Sequence, residues 1–240
     1  MTRDRLARTT SFGMVGHDFP QSLLLPTWGL VMFLCWSAKG GSGTTVVAAA
    51  LALVLTRRAP TLLVDLAGDS PAALGLAEPS GPGVVEWLAS PTADAAALHR
   101  LAVDATDTLR VVPRGQGAFT DQARWGDLAA AVAGHGPVVV DAGTGTPPAA
   151  LIAAATHNLL VTRPCYLALR RAVASGVQPS GIVVVGEPGR ALNCSDIERS
   201  LNAPVVAELQ YDPAVARAVD AGLLASRLPR SLAHSLKAAA

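Results

Sequence analysis

Lysine is nearly absent from this chain of 240 residues, where it occurs only at Lys39 and Lys237. Arginine therefore carries almost all of the positive charge, and Lys39 stands out because it lies in a glycine-rich segment. Charged residues make up only 15% of the sequence, and the formal net charge is +1. A chain so close to neutrality has no general attraction for nucleic acid or for an acidic membrane, so we expect any such contact to be local.

Cysteine is also scarce, and its pattern argues against two kinds of site. The three cysteines are Cys35, Cys165 and Cys194. They are odd in number, far apart in the sequence and without the spacing of metal ligands. Such a pattern indicates neither a disulfide framework nor a cysteine metal site. We therefore expect a reduced, cytoplasmic protein.

A long membrane-spanning segment is missing as well. The run 23–36 is apolar enough to suggest one, yet Pro26 interrupts it and it falls short of the roughly 20 residues that a spanning helix needs. A glycine-rich loop follows it directly, whereas a secretory signal would be followed by a small-residue cleavage site. We interpret the second half of this run as a strand, and residues 1–27 as a poorly ordered N-terminal extension.

Two kinds of segment alternate along the chain and indicate its fold class. Hydrophobic residues make up 50% of the sequence, enough for the core of one sizeable domain. Runs rich in valine and leucine are typical of buried strands, and they lie at 29–36, 61–65, 108–113, 137–141, 157–162, 181–185 and 204–208. Alanine-rich stretches with helical spacing lie between them, at 45–57, 121–133, 148–155, 167–175, 195–201 and 213–221. This alternation predicts an α/β domain with a mostly parallel twisted sheet, helices on both faces, and ligand loops along one edge.

A glycine-rich loop between the first strand and the first helix has the composition of a phosphate-binding site. Glycines let the backbone turn tightly and bring its N–H groups close to phosphate oxygens. The helix that follows adds the positive end of its dipole. This order of strand, loop and helix favours nucleotide binding over a glycine turn without a ligand. The predicted nucleotide-binding residues of this loop are Lys39, Gly40, Gly41, Ser42, Gly43, Thr44 and Thr45.

The loop resembles the deviant Walker A motif of the ParA/MinD family of P-loop ATPases, which reads Lys-Gly-Gly-x-x-Lys-Ser/Thr. Lys39 matches the signature lysine, which in that family reaches across a sandwich dimer to the partner's nucleotide. Thr44 occupies the position of the second lysine, which grips the β- and γ-phosphates, and Thr45 matches the Mg²⁺ ligand. Replacement of the second lysine is similar to the CpaE/TadZ branch of pilus and septum positioning proteins. The resemblance covers residues 28–225 and implies a P-loop NTPase fold with ATP and Mg²⁺ as cofactors.

Two further family motifs follow later strands. Asp141 ends a valine-rich strand that resembles Walker B, and it is the second predicted Mg²⁺ ligand and a nucleotide-site residue. Switch I reads Asp-x-Asp in the family, and its second carboxylate orients the attacking water. Asp65 matches the first aspartate, Ala67 stands at the second, and Asp69 is either a displaced substitute or a turn or helix cap. The candidate catalytic residues are thus Lys39, Asp65 and Asp69, and we expect weak or no hydrolysis.

The strand at 181–185 resembles the strand beside the adenine base in the family. Gly186 and Glu187 replace the Asn-Arg pair expected there. Similarly, Leu209 and Gln210 replace the Ile-Pro pair expected at the start of the last helical region. Base recognition is therefore left open by the sequence.

Residues 226–240 are predicted to form a C-terminal helix. Leucine recurs at every fourth position, with basic residues in between, at Leu224, Leu228, Leu232 and Leu236. We favour a helix that packs on the domain, because the stripe is only a few turns long. The alternative is a contact with the inner face of the membrane, such as the MinD tail makes.

Three functions are compatible with these residues. The leading hypothesis is a nucleotide-dependent homodimer that recruits an unidentified protein partner in septum, pilus or chromosome positioning. The alternative is a pseudo-ATPase scaffold that binds a partner without nucleotide, and Thr44, Ala67 and Gly186 motivate it. An enzyme similar to dethiobiotin synthetase shares the fold but would need a lysine at position 44. Nucleic acid is not an expected partner, because the arginines are scattered.

Overall fold

In the computed structural model, residues 31–240 are described, and their valine-rich runs form the strands of one sheet. The predicted extension at residues 1–27 lies outside the described residues. Branched and leucine side chains suit strands that are buried on both faces. The strands are β1 (Met32–Ser37), β2 (Thr61–Asp65), β3 (Val103–Thr106), β4 (Leu109–Val112), β5 (Val138–Thr144), β6 (His157–Thr162), β7 (Gly181–Val185) and β8 (Val205–Leu209).

The helices lie between the strands, at or near the alanine-rich stretches that predicted them. Short helices at 70–74, 84–89 and 95–100 are additional to those expected from the sequence. The helices are α1 (Thr44–Leu55), α2 (Ser70–Leu74), α3 (Val84–Ala89), α4 (Ala95–Arg100), α5 (Trp125–Val132), α6 (Ala149–Ala154), α7 (Tyr166–Ala174), α8 (Cys194–Leu201), α9 (Pro213–Asp220) and α10 (Arg230–Leu236).

The sheet has the strand order β3-β4-β2-β5-β1-β6-β7-β8. Its neighbouring strands run parallel except at the β3–β4 pair, which is antiparallel. This confirms the predicted α/β fold with a mostly parallel sheet. Strand β1 pairs with β5 on one side and with β6 on the other. The strand order reverses at this point, because β2 to β5 lie on one side of β1 and β6 to β8 lie on the other. Ligands of such sheets bind at the carboxyl ends of the strands beside this reversal.

Helix α1 is buried along most of its length, and the C-terminal leucines help to bury it. Its sequence is apolar on every side, which is typical of a helix enclosed in a core. Leu224, Leu232 and Leu236 are buried in the same hydrophobic cluster as α1, and Leu228 packs against it. The leucine stripe therefore faces the domain and is unavailable as a membrane-binding face in this arrangement. Among residues 31–240, no helix combines the length and apolar character needed to cross a membrane.

A buried polar contact joins β1 to β6 close to the end of β1. The indole Nε1–H of Trp36 donates to Asn158 Oδ1 at 2.7 Å, and both side chains are buried. Asn158 in turn donates from Nδ2 to the carbonyl of Gln178 at 3.1 Å, and its backbone N–H donates to Ser180 Oγ at 2.8 Å. Because every partner is satisfied, this network holds the strand that leads into the glycine loop.

We expect Asn158→Ala to lower the free energy of unfolding by about 2 kcal/mol, because it leaves the buried Trp36 N–H without an acceptor. Adding Trp36→Phe removes that orphaned donor, so the double variant is expected to lose less stability than the two single variants together. Chemical denaturation of the four proteins measures this coupling. Strictly additive losses would contradict the role given to this hydrogen bond.

Candidate functional site

The loops that follow β1, β2, β4 and β5 enclose a cavity of about 720 Å³ at one edge of the sheet. Parallel strands bring such loops together because all their carboxyl ends lie at the same edge. Asp65 and Asp141 are buried at paired positions of β2 and β5, directly before residues that line this cavity, whereas Lys39 and Gly40 do not line it. The predicted residues that line the cavity directly are Gly41, Ser42, Gly43, Thr44, Thr45 and Asp69.

The glycine loop makes a tight turn that depends on its glycines. Gly41 and Gly43 have φ values of 78° and 89°, in the left-handed region that side chains other than glycine rarely adopt. The hydroxyl of Ser42 donates to the carbonyl of Lys39 at 2.7 Å and closes the turn. Gly43 is the N-cap of α1, so no side chain caps this helix, and its first turn contains no acidic residue. The N–H groups at the helix start are thus available to an anion.

Lys39 lies apart from the main cavity. Its ammonium group donates to the carbonyl of Gly40 at 3.3 Å, within its own loop. Its side chain lines a separate small cavity of about 120 Å³, together with Gly40, Arg163, Cys165 and Arg190. Within one chain, Lys39 therefore does not line the main cavity, although the two cavities share Gly41 and Ser42.

Thr44 and Thr45 begin α1 side by side. Thr44, at the position where the family has its second lysine, is 6% exposed and lines the cavity. It brings a hydroxyl but no charge. Thr45 lines the same cavity, and its hydroxyl interacts with the carboxylate of Asp141. The predicted Mg²⁺ ligands Thr45 and Asp141 are therefore neighbours.

Asp141 is fully buried at the end of the apolar part of β5. Burial raises its pKa to about 6, the nearby Asp65 adds to the shift, and hydrogen bonds from Thr45, Gly143 and Ser70 oppose it. Oxygen ligands of this kind suit Mg²⁺, which keeps several waters and binds few protein groups. Among the described residues, no group of three or more His, Cys, Asp or Glu side chains is placed to hold a metal ion.

Asp65 organises the turn after β2. Its carboxylate accepts the N–H groups of Ala67 at 3.0 Å, Gly68 at 2.7 Å and Ser70 at 3.0 Å. Burial raises its pKa, while these N–H groups lower it. Because three backbone donors occupy this carboxylate and it is fully buried, its observed contacts hold the turn that follows β2.

In the turn after β2, Leu66, Ala67 and Asp69 line the cavity itself. Asp69 stands at the N-cap of α2, yet its side chain accepts no capping hydrogen bond. Its carboxylate is therefore not used as a cap, which was one of the two interpretations of this residue. Ala67 offers the cavity only a methyl group.

The residues that line the cavity without having been predicted from the sequence include Arg114, Phe119 and Trp125. Phe119 and Trp125 form a tilted ring pair with centroids 4.9 Å apart. The guanidinium carbon of Arg114 lies 4.9 Å from the centroid of the Phe119 ring. Arg114 directly follows the Val-Val-Pro end of a predicted parallel strand, and that position is the signal that could have identified it.

A second, mostly apolar cavity of about 550 Å³ lies on the other side of Gly43. Gly186 and Gln210 line it, at positions where the family has the base-contacting residues. The Gly186 N–H donates to the carbonyl of Leu209 at 2.7 Å, and a Cβ at position 186 would lie only 3.0 Å from that oxygen. These two segments approach so closely that a side chain at position 186 would be crowded, which explains the glycine there. A backbone N–H therefore stands where the family has a polar side chain.

Solved structures resemble this chain along most of its length. A ParA family ATPase from Chlorobium tepidum TLS aligns with a TM-score of 0.68 and 20% identity, over 86% of this chain and 97% of that protein. The septum site-determining protein MinD from Pyrococcus horikoshii, complexed with Mg-ADP, aligns with a TM-score of 0.67 and 17% identity, over 87% and 93%. The MinC:MinD cell division protein complex of Aquifex aeolicus aligns with a TM-score of 0.66 and 18% identity, over 87% of this chain and 94% of that chain.

Similarity at the level of sequence is much weaker than similarity of fold. Neither a protein-family model nor a curated protein sequence matches the chain. At identities of 20% or less, the structural alignments establish the fold alone. The chain has the α/β P-loop fold that these ParA and MinD ATPases also have.

Proposed function

We propose that this chain binds ATP with Mg²⁺ and that the bound nucleotide controls its dimerisation, with weak or no hydrolysis. The observation that carries the proposal is the left-handed glycine loop that runs directly into the uncapped start of α1. Backbone N–H groups gathered in this way form a concave site for phosphate. The proposed role is the spatial organisation of a septum, a pilus or a chromosome, together with an unidentified protein partner.

Thr45 and Asp141 are the proposed Mg²⁺ ligands. The hydroxyl and the carboxylate are adjacent, and Thr45 faces the cavity that would hold the phosphates. A bound Mg²⁺ would neutralise charge on the phosphate oxygens. It would also favour the ionised form of Asp141, whose burial without a cation disfavours that form. A fold neighbour, MinD from Pyrococcus horikoshii, carries Mg-ADP, which agrees with this assignment.

Weak hydrolysis follows from the side chains at two positions. Thr44 provides no positive charge for the β- and γ-phosphates, and Ala67 provides no carboxylate for an attacking water. Asp69 is the acidic residue of the described chain that lines the cavity, and it is our candidate for any residual water activation. Asp65, with three backbone donors on its carboxylate, is proposed to hold this turn in place.

Dimerisation is proposed to involve the face that carries Lys39. The small cavity beside Lys39 contains two further cations, Arg163 and Arg190, and Glu187 as their counter-charge. Tyr166 and Leu167 begin the adjacent helix α7 and are 70% and 50% exposed. An exposed apolar pair beside a group of cations is suited to contact another copy that carries a bound anion. This arrangement supports a reach of Lys39 to the partner's nucleotide.

The second candidate is a pseudo-ATPase scaffold that binds a protein partner without nucleotide. Three residues favour it: Thr44 and Ala67 within the cavity, and Gly186 on the base side. A membrane contact through α10 is not part of either proposal, because its leucines are buried against α1. Tight ATP binding measured by calorimetry would eliminate the scaffold, and its absence would favour it.

We expect ATP with Mg²⁺ to convert the wild-type protein from monomer to dimer, and Lys39→Ala to abolish this change, because the charge proposed to bridge two copies is lost. Analytical ultracentrifugation with and without nucleotide measures it. Lys237→Ala is the matched control, since it removes the other lysine of the chain and should dimerise normally. An unchanged monomer in all samples would contradict the dimerisation switch.

We expect Thr44→Lys to bind ATP about tenfold more tightly, because a charge-assisted hydrogen bond to phosphate is added. Hydrolysis should rise clearly only when Ala67→Asp is added, since that change restores the carboxylate for the attacking water. Calorimetry and phosphate release measure the two effects. Thr108→Lys, in the exposed turn between β3 and β4, is the control for added charge. Unchanged affinity in Thr44→Lys would contradict phosphate binding beside position 44.

A further inference from the structure

Arg114 is the one basic side chain of the described residues that lines the main cavity. We propose that Arg114 binds the terminal phosphate of a nucleoside triphosphate and supplies the positive charge that Thr44 lacks. This inference rests on the proposed function, because it assigns a residue to the same nucleotide site. Lys39 does not compete for the role within one chain, because it lines a different cavity.

The position of Arg114 in the sheet suits the far end of a triphosphate. In the order β4-β2-β5-β1, β4 lies three strands from β1. At about 4.8 Å for each strand, this is roughly 14 Å, so Arg114 reaches the cavity from the wall opposite the glycine loop. Phosphates anchored at the start of α1 would extend toward the loop that follows β2, which lies between β1 and β4 in the sheet and contributes Asp69 to the cavity.

The Arg114 side chain is oriented by its neighbours. It passes over Gly68, where a Cβ would lie 3.3 Å from Arg114 Cδ, and Gly68 has a left-handed φ of 106°. Its guanidinium stacks on the Phe119 ring, and Nη1 donates to the carbonyl of Gly115 at 3.4 Å. Because Gly68 has no side chain, it leaves room for the arginine, and the stacking on Phe119 limits the rotamers of Arg114.

The charge of Arg114 is not neutralised by an ion pair among the described residues. Glu86 interacts with it electrostatically, and this interaction lowers the pKa of Glu86. Glu86 is already engaged, because it accepts the N–H groups of Gly83 at 2.7 Å and Gln116 at 2.9 Å. A phosphate is therefore a stronger partner for the guanidinium than any acceptor it has in the single chain.

The chemistry of arginine predicts a difference between two nucleotides. Its planar fork of donors matches phosphate oxygens, and an arginine on the far wall would contact the γ-phosphate, which ADP lacks. A purely structural role, in which the guanidinium only supports Phe119 and the loop, predicts no such difference. The ratio of ATP affinity to ADP affinity therefore separates the two roles.

The test is calorimetric titration of the full chain with ATP and with ADP, each with Mg²⁺. We expect Arg114→Ala to weaken ATP binding about tenfold or more and to leave ADP binding nearly unchanged. Arg114→Lys should retain part of the ATP affinity because it keeps the charge. Arg199→Ala is the matched control, since that side chain is 77% exposed on α8, away from the cavity, and it should bind both nucleotides normally.

A double variant separates loss of the Arg114 charge from a loss of stability caused by the Arg114→Ala substitution. Thr44→Lys placed in the Arg114→Ala protein should recover the ATP affinity, because a charge returns to the same phosphates from the other wall. Equal losses for ATP and ADP, or wild-type ATP binding by Arg114→Ala, would overturn the role of Arg114 and leave nucleotide binding intact. Failure of the wild-type protein to bind either nucleotide would instead overturn the proposed function, and this inference with it.

Discussion

Backbone N–H groups at the start of α1 need an acceptor that no capping side chain supplies, and the candidate site depends on this requirement. The glycines before the helix have no side chain that could accept these N–H groups, and their left-handed conformations turn the loop around an open space. Burial of β1 between β5 and β6 fixes where that space lies. The Trp36–Asn158 hydrogen bond holds the end of the same strand. An anion at this point would satisfy groups that are otherwise left to water.

Charge around this space is arranged differently from the family motif that the loop resembles. Positive charge is absent at position 44, and Arg114 enters the cavity from the opposite wall. The aspartates at paired positions of β2 and β5 are buried directly before residues that line the cavity, and one organises a turn while the other lies beside Thr45. A carboxylate and a guanidinium then face the open space itself, from Asp69 and Arg114. This arrangement supports the proposal that the site holds nucleotide without efficient activation of water.

Much of the fold followed from the sequence, because buried parallel strands are short apolar runs that can be recognised one at a time. Strands 61–65, 157–162 and 181–185 were predicted with the bounds that the structure gives. The short helices α2 to α4 and the edge strand β3 were not predicted. Helices of five or six residues have too few turns to show a period, and β3 is partly exposed and pairs only with β4.

The sequence by itself determined the glycine loop and the neighbouring positions of Thr45 and Asp141, since these depend on adjacent residues in the chain and on the ends of strands. Tertiary structure alone decided which charges share a cavity: Lys39 lies outside it and Arg114 inside. It also decided that the C-terminal leucines pack on α1. The physical reason is that a side chain's direction and burial depend on elements far away in the sequence, and no local pattern records them.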